Sequence, residues 1–466
     1  MGDMERLELD NGLVVLAQEM HHAPVVAFSV WYRVGGRHEV PGITGISHWV
    51  EHMMFKGSAK YGQGALDREI SARGGQYNGF TTEDFTAYYE VLPAEHLELA
   101  VDIEADRMGS ALFDPADVES ERTVIISERE GAENHPGFWL AEAADAACWT
   151  QHPYRQGVIG AKCDLQEITH EDLLRHYQAY YSPDNAVVVA TGAFDHRHLF
   201  GLVEQHFGAL PRGTGRRPLH AVEPPQTGPR RVEVRRPGPA HYFTSLYHIP
   251  PANHPDTPTL LCLAAVLGGG HSPVPWRSKP MGRSSRLYRA LVKSGVAVRA
   301  GALLSLRADP GVLQIHATAA PPASIQAPSR PRPNRPPQGP PAEAPAGSAA
   351  DPSAIEELIR TELDRLSRDG PLPAELASAK RQLEAQIAYS RAGMLGQAEW
   401  TGAFAMLEGE EIGRTLGERI ASITPDDVAG AAQRYLGAHR ATVAWFIPSA
   451  TPAAGTDEGE EAGTDA

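Results

Sequence analysis

Gly45-Ile46-Ser47-His48-Trp49-Val50-Glu51-His52-Met53-Met54-Phe55-Lys56-Gly57 carries a His-x-x-Glu-His pentapeptide inside a proline-free run. Thr44, Ser47 and the glycines supply a helix start, and Gly57 supplies a stop. On a helix, His48 and His52 stand one turn apart on one face. Two imidazoles so placed can bind one Zn²⁺, and Glu51 lies close enough to act on a water at the metal. The pentapeptide is short, however, and histidines at this spacing also occur as packed or solvated helix residues. Its weight depends on the rest of the chain.

Outward from this stretch, alternation and turn residues predict strands at 5–9 and 13–17 around Asn11-Gly12, and a buried strand over 24–34. After the histidine helix come a helix at 66–72, paired strands at 76–82 and 85–92, and helices at 94–108, 115–133, 137–149 and 171–180. A strand at 185–191 and a helix at 196–207 close the first half. A Pro/Gly/Arg-rich stretch follows. The second half then predicts strands at 231–234 and 242–247, helices at 257–267 and 284–294, and strands at 296–304 and 311–317. Helices at 355–368, 373–405, 412–420 and 425–436 and a strand at 441–446 complete it.

The order strands, helix, helix, strands, helices, strand occurs twice. It predicts an α+β chain of two duplicated domains, each an antiparallel or mixed β-sheet packed with helices. The expected limits are 1–212 for the zinc-binding domain, 213–237 for a linker and 238–448 for the second domain. Two insertions interrupt the latter, at 271–281 and at the Pro-rich 321–352. The second insertion and the acidic tail 449–466 are expected to be disordered.

A formal charge of −16 argues against a general nucleic-acid binder, which needs a basic surface. Cys148, Cys163 and Cys262 form no disulfide framework, which suits a reducing compartment. No window approaches 18 uninterrupted apolar residues, so no membrane span is expected. The first residues show no signal core, which predicts a cytoplasmic location, or a periplasmic one if the true start lies elsewhere.

The helix at 115–133 offers Glu119, Glu121, Glu128, Glu130 and Glu133 as a third zinc ligand, and spacing alone does not choose among them. Here the sequence resembles a family. His48-x-x-Glu51-His52, extended as Glu-His-Met-Met-Phe-Lys-Gly-Ser, is similar to the signature of the insulinase-like, or M16, metallopeptidases. That family includes pitrilysin, the insulin-degrading enzymes and the processing-peptidase β-subunit of mitochondria. Asn78-Gly79-Phe80-Thr81-Thr82-Glu83-Asp84-Phe85-Thr86-Ala87-Tyr88-Tyr89 resembles the family's substrate-strand motif. His152-Pro153-Tyr154, Tyr181-Ser182-Pro183-Asp184-Asn185 and Ser285-Arg286-Leu287-Tyr288 match further signatures.

The resemblance implies that the two domains form half of a clamshell. It implies Zn²⁺ held by His48, His52 and Glu128, with Glu121 orienting the site and Glu51 as general base. It also implies that Asn78, Gly79 and Phe80 bind an extended peptide substrate. One departure matters. Val292 and Val298 fall where many catalytic members carry an Arg and a Tyr, and neither valine donates a hydrogen bond. The resemblance therefore implies a homo- or heterodimer with an M16-like subunit that supplies the missing pair. The expected function is zinc-dependent endopeptidase activity on extended peptides or unfolded segments. A non-catalytic assembly subunit and a specific leader- or precursor-processing peptidase are the alternatives.

Overall fold

The computed structural model describes residues 4–213, 221–274, 282–320 and 352–449. The tail 450–466, most of the Pro-rich insertion (321–351) and residues 275–281 of the other insertion lie outside the described residues. The strands are β1 (Met4–Glu8), β2 (Val14–Glu19), β3 (Val25–Tyr32), β4 (Gln76–Thr81), β5 (Thr86–Pro93) and β6 (Ala186–Gly192) in the first half. The second half has β7 (Arg230–Pro237), β8 (Tyr242–Ile249), β9 (Ala297–Ser305), β10 (Gly311–Ala319) and β11 (Thr442–Ser449). The first-half helices are α1 (Ile46–Met53), α2 (Ala65–Ser71), α3 (Leu97–Ser110), α4 (Pro115–Glu133), α5 (Pro136–Cys148), α6 (Lys162–Glu167), α7 (His170–Tyr180) and α8 (His196–Phe207). Then follow α9 (Thr257–Gly268), α10 (Pro352–Asp369), α11 (Pro373–Ser390), α12 (Met394–Met406), α13 (Glu410–Ser422) and α14 (Pro425–Tyr435).

Two mixed sheets result, with orders β1-β2-β6-β3-β5-β4 and β7-β11-β8-β10-β9. The duplication is visible in the wiring. β2 runs parallel to β6, which is antiparallel to β3, and β3-β5-β4 continue antiparallel. In the second sheet β7 runs parallel to β11, and β8, β10 and β9 follow antiparallel. β1 is the extra edge of the first sheet. The β-branched and aromatic run of β3 is buried almost throughout, because helices cover both faces of the first sheet.

The strand expected at 231–234 forms as β7, which spans 230–237 and pairs along β11. Two expected helices need correction. The helix expected over 373–405 is two helices that break at 391–393. No proline marks the break; a Cβ on Gly396 would lie 2.2 Å from the Ser390 carbonyl oxygen, so the tight turn excludes a side chain there. The helix at 284–294 is a short turn containing a π-helical segment, Tyr288–Val292. Residues 271–274 of the first insertion are buried: the Leu304 N–H donates to His271 Nε2 at 3.0 Å, and the Ser390 and Ser272 hydroxyls bond at 2.8 Å.

Packing does not follow the order of the chain. α5 belongs to the first half but lies on β7, β8 and β11, where Leu140, Ala144 and Cys148 join Leu246, Ala444 and Phe446 in one cluster. α12 belongs to the second half but lies on β3 and β6, and the Thr191 hydroxyl donates to the Met394 carbonyl at 2.7 Å. A buried charge network closes the junction. Asp84, in the β4–β5 turn, accepts from Arg37 at 3.1 Å, from the Ala308 N–H at 3.2 Å and from the Tyr154 hydroxyl. Arg307 reaches Glu83 at 2.9 Å. Among the described residues no helix is long and apolar enough to cross a membrane.

A Cβ added to Gly402 of α12 would lie 2.1 Å from Trp31 of β3. Gly402→Val is expected to cost about 1–3 kcal/mol in urea denaturation through overpacking. Gly417→Ala, on an exposed helix face with open space, should stabilise by about 0.5–1 kcal/mol.

His271 gives a pH prediction. Burial pushes its imidazole down to about 4, outweighing the opposite pull of the Gly269 carbonyl. The unfolded chain therefore binds the extra proton first, and the stability present above pH 6.5 is lost as the pH falls towards 4. This one group contributes up to about 1.4 kcal/mol per pH unit. His271→Gln should flatten the pH dependence of the urea midpoint in that window by a comparable amount.

Candidate metal centre

α1 starts at Gly45, not at Thr44 or Ser47. Gly45 has φ 90°, and a Cβ there would meet the Ile159 carbonyl oxygen at 2.7 Å. No side chain of its own caps this helix. Instead the Glu39 carboxylate accepts the Gly45 and Ser47 N–H groups at 2.7 and 2.8 Å. Burial pushes Glu39 up to about 7, against the pull of those two N–H groups. Ile46, Trp49, Val50 and Met53 anchor the helix in the core. That leaves His48 and His52 on the opposite, half-buried side.

α4 supplies the facing wall. Asp114 caps it by accepting the Ala116 N–H at 2.8 Å, and Pro115 occupies its first turn. Val118, Glu121 and Ile125 are buried. Glu121 and Glu128 are two turns apart and so share a face.

One ligand atom from each of His48, His52 and Glu128 lies within 4.8 Å of the others. Glu128 Oε2 is 3.8 Å from His48 Nε2 and 3.6 Å from His52 Nε2. Tetrahedral zinc with bonds near 2.0–2.1 Å spaces its ligands at about 3.4 Å, so a small inward movement closes the set. The donor chemistry fits as well. Burial, reinforced by His52, pushes His48 down to about 4, which keeps the imidazole neutral. His52 Nδ1 lies 3.0 Å from Glu121 Oε2; with the proton on Nδ1, Nε2 is left free to ligate. Burial would raise Glu121, but hydrogen bonds from Lys56 and His52 hold it below the ordinary carboxylate range. Lys56 pairs directly with its other oxygen. The three acidic side chains here, Glu51, Glu121 and Glu128, outnumber Lys56, a donor set that suits a dication.

Glu51 is 7% exposed on the same helix. Burial raises its carboxyl, while the Thr81 hydroxyl, donating to Oε2 at 2.6 Å, works the other way. Thr81 ends β4, which among the described residues pairs only with β5 and so forms the edge of the sheet. Asn78 is exposed on that strand, and its side-chain oxygen accepts the Gly79 N–H at 2.9 Å. Gly79 lies under Phe55, where a Cβ would stand 3.0 Å from the ring. Phe80 turns to the other face, with its ring 5.6 Å from that of Trp31. Of the three residues expected to bind peptide, then, Phe80 offers its backbone rather than its side chain.

Sequence reasoning passed over three residues at this site. Lys56 was legible, since it falls one turn beyond His52. Thr81 stood in the quoted strand without a sign that it meets Glu51. Glu39 lies in a loop, and no spacing announces it.

A duplicated α+β fold with a His-x-x-Glu-His helix facing a glutamate on a second helix defines a class of zinc-type peptidase scaffold. The family comparisons agree. Residues 14–162 match insulinase (peptidase family M16) and residues 167–329 match the peptidase M16 inactive domain. The chain belongs to the M16 family.

It is 26% identical to an uncharacterised zinc protease of Streptomyces coelicolor, over 94% of this chain and 88% of that protein. It is 30% identical to an uncharacterised zinc protease of Mycobacterium tuberculosis, over 68% of this chain and 70% of that one. The zinc protease PqqE of Helicobacter pylori is 30% identical over 58% and 62% respectively. The crystal structure of a protease from Helicobacter pylori superposes with a TM-score of 0.84 at 24% identity, covering 96% of this chain and all (100%) of that one, and shares the fold.

Glu121→Gln is expected to weaken zinc binding about 10–100-fold in chelator competition, because it loosens the hydrogen bond that orients His52. Glu51→Gln, whose hydrogen bond goes to Thr81 rather than to His48, His52 or Glu128, removes one nearby negative charge and should weaken the affinity less than Glu121→Gln does.

Proposed function

We propose that this chain is a zinc-dependent endopeptidase that hydrolyses extended peptides or unfolded segments, completed by a homologous subunit. The observation that carries the reading is the convergence of His48, His52 and Glu128 beside Glu51 at the edge strand β4. Zinc, when bound, supplies Lewis-acid polarisation of the scissile carbonyl and acidifies water.

The chain's own residues do the rest. His48, His52 and Glu128 hold the ion, and Glu121 fixes the His52 tautomer. Glu51 takes the proton from the attacking water and returns it to the leaving amine; its partly buried carboxyl, raised by burial, favours that exchange. The unpaired edge of β4 offers backbone groups to an extended peptide, so recognition reads main chain more than side chains.

The case for a partner rests on Val292 and Val298. Val292 ends the π-helical turn, and Val298 is exposed on edge strand β9. Neither side chain stabilises a developing oxyanion. A homologous subunit bearing Arg and Tyr supplies that function.

The test is zinc content and hydrolysis of quenched peptides by the purified chain, alone and mixed with a homologous M16 chain carrying the Arg and Tyr, with Glu51→Gln as control. Stoichiometric zinc, little turnover alone and turnover on mixing that Glu51→Gln abolishes are expected. Full activity alone would remove the partner from the reading. Zinc without turnover in any mixture would favour an assembly role.

A further inference from the structure

One face of β4 is built around the general base. Tyr77, Gly79 and Thr81 alternate onto the face towards α1. Phe55 packs on Tyr77, with ring centroids 5.8 Å apart, and on the bare Cα of Gly79. Thr81 then reaches Glu51 at 2.6 Å.

Thr81 is itself held from behind. It is the register partner of Thr86 across the hairpin, and their hydroxyls lie 3.4 Å apart. Thr86 is fully buried and donates to the Val34 carbonyl at 2.9 Å. Its hydroxyl also meets Tyr181, which bonds Tyr88 at 2.9 Å. Thr86 donates its proton to Val34 and Thr81 donates its own to Glu51, so it is the hairpin register with the buried Thr86, rather than the 3.4 Å contact, that anchors Thr81 at the end of the edge strand.

We propose that Thr81 is the positioning residue for Glu51, transmitting the placement of edge strand β4 to the carboxylate that handles the proton. The inference rests on the peptidase reading above for its kinetic consequence, but not for its geometry. A peptide that pairs with β4 stiffens the strand that carries Thr81, so substrate binding and base alignment share one structural element. A hydroxyl is required, because a carboxylate oxygen needs a donor there; the methyl group contributes only shape.

The experiment compares Thr81→Val, which keeps the shape and loses the donor, with Thr81→Ser, which keeps the donor. Zinc stoichiometry should be unchanged in both. In the active assembly, Thr81→Val is expected to lower kcat at least about tenfold, with KM within about twofold, and Thr81→Ser to stay within about threefold of wild type. An unchanged kcat in Thr81→Val, a rise in KM alone, or a serine variant no better than valine overturns the proposal.

Crystal structures of the zinc-loaded wild type and both variants give a second reading that needs no activity. The Glu51 carboxylate should leave its wild-type position in Thr81→Val and keep it in Thr81→Ser; the same position in all three overturns the proposal. Absence of Glu51-dependent hydrolysis in the wild type defeats the peptidase reading instead, and the crystal structures then decide this one.

Discussion

The Arg122 guanidinium lies over the indole of Trp49, 4.7 Å from the ring centroid, and ties α4 to α1. Trp49 stands between His48 and Val50, while Arg122 follows Glu121 directly, so the stack sets the distance between the two helices at the level of His48, His52 and Glu121. Arg122 also donates to the Ile168 carbonyl at 2.8 Å, which secures α4 to the loop after α6. A cation–π contact shielded this way is worth about 0.5–2 kcal/mol, modest in stability. Its larger effect is geometric. If α4 moved by one residue of rise, about 1.5 Å, Glu128 would leave the reach of both imidazoles.

Much of this was legible in the sequence, for a physical reason. Residues one helical turn apart share a face, so the pairing of His48 and His52 is readable from a gap of four residues, and strands such as β3 and β5 declare themselves by β-branched and aromatic content. Contacts between distant segments left no such mark. Glu39 caps α1 from a loop, and its carboxylate is informative only once Gly45 and Ser47 are known to face it. The break between α11 and α12 falls at Gly393, the N-cap of α12, a single glycine in an otherwise helical pattern, and the turn brings Ser390 so close to Gly396 that no side chain fits there. The arginines of β7 blurred only its limits: the alternation at 231–234 showed a strand, while the exposed side chains of this edge strand resemble a connector.

Duplication placed the same scaffold twice and spent it differently. In the first half, the helix that follows the sheet's third strand in chain order is α1, with two histidines and a glutamate. Its counterpart after β8 is α9, Thr-Pro-Thr-Leu-Leu-Cys-Leu-Ala-Ala-Val-Leu-Gly, buried along its whole length. A helix that presents no polar face cannot hold an ion, and α9 serves as core for the second sheet. The counterpart edges diverge in the same way, since β4 ends in Thr81 against Glu51 whereas β9 presents Val298 to solvent.

The exchange of α5 and α12 between the halves has a consequence for biosynthesis. The sheet face that α12 covers is complete once β6 is made, 202 residues before α12 begins (192 to 394), and its β3 part is made earlier still. At roughly 5–20 residues per second, a ribosome leaves that apolar surface, with Trp31 and Val189 on it, uncovered for about 10–40 s. During that interval the nascent first half resembles a sheet awaiting its last layer and offers a binding surface to chaperones. Its native packing is completed only when the last quarter of the chain emerges, so this duplicated protein matures as a single unit despite its two sheets.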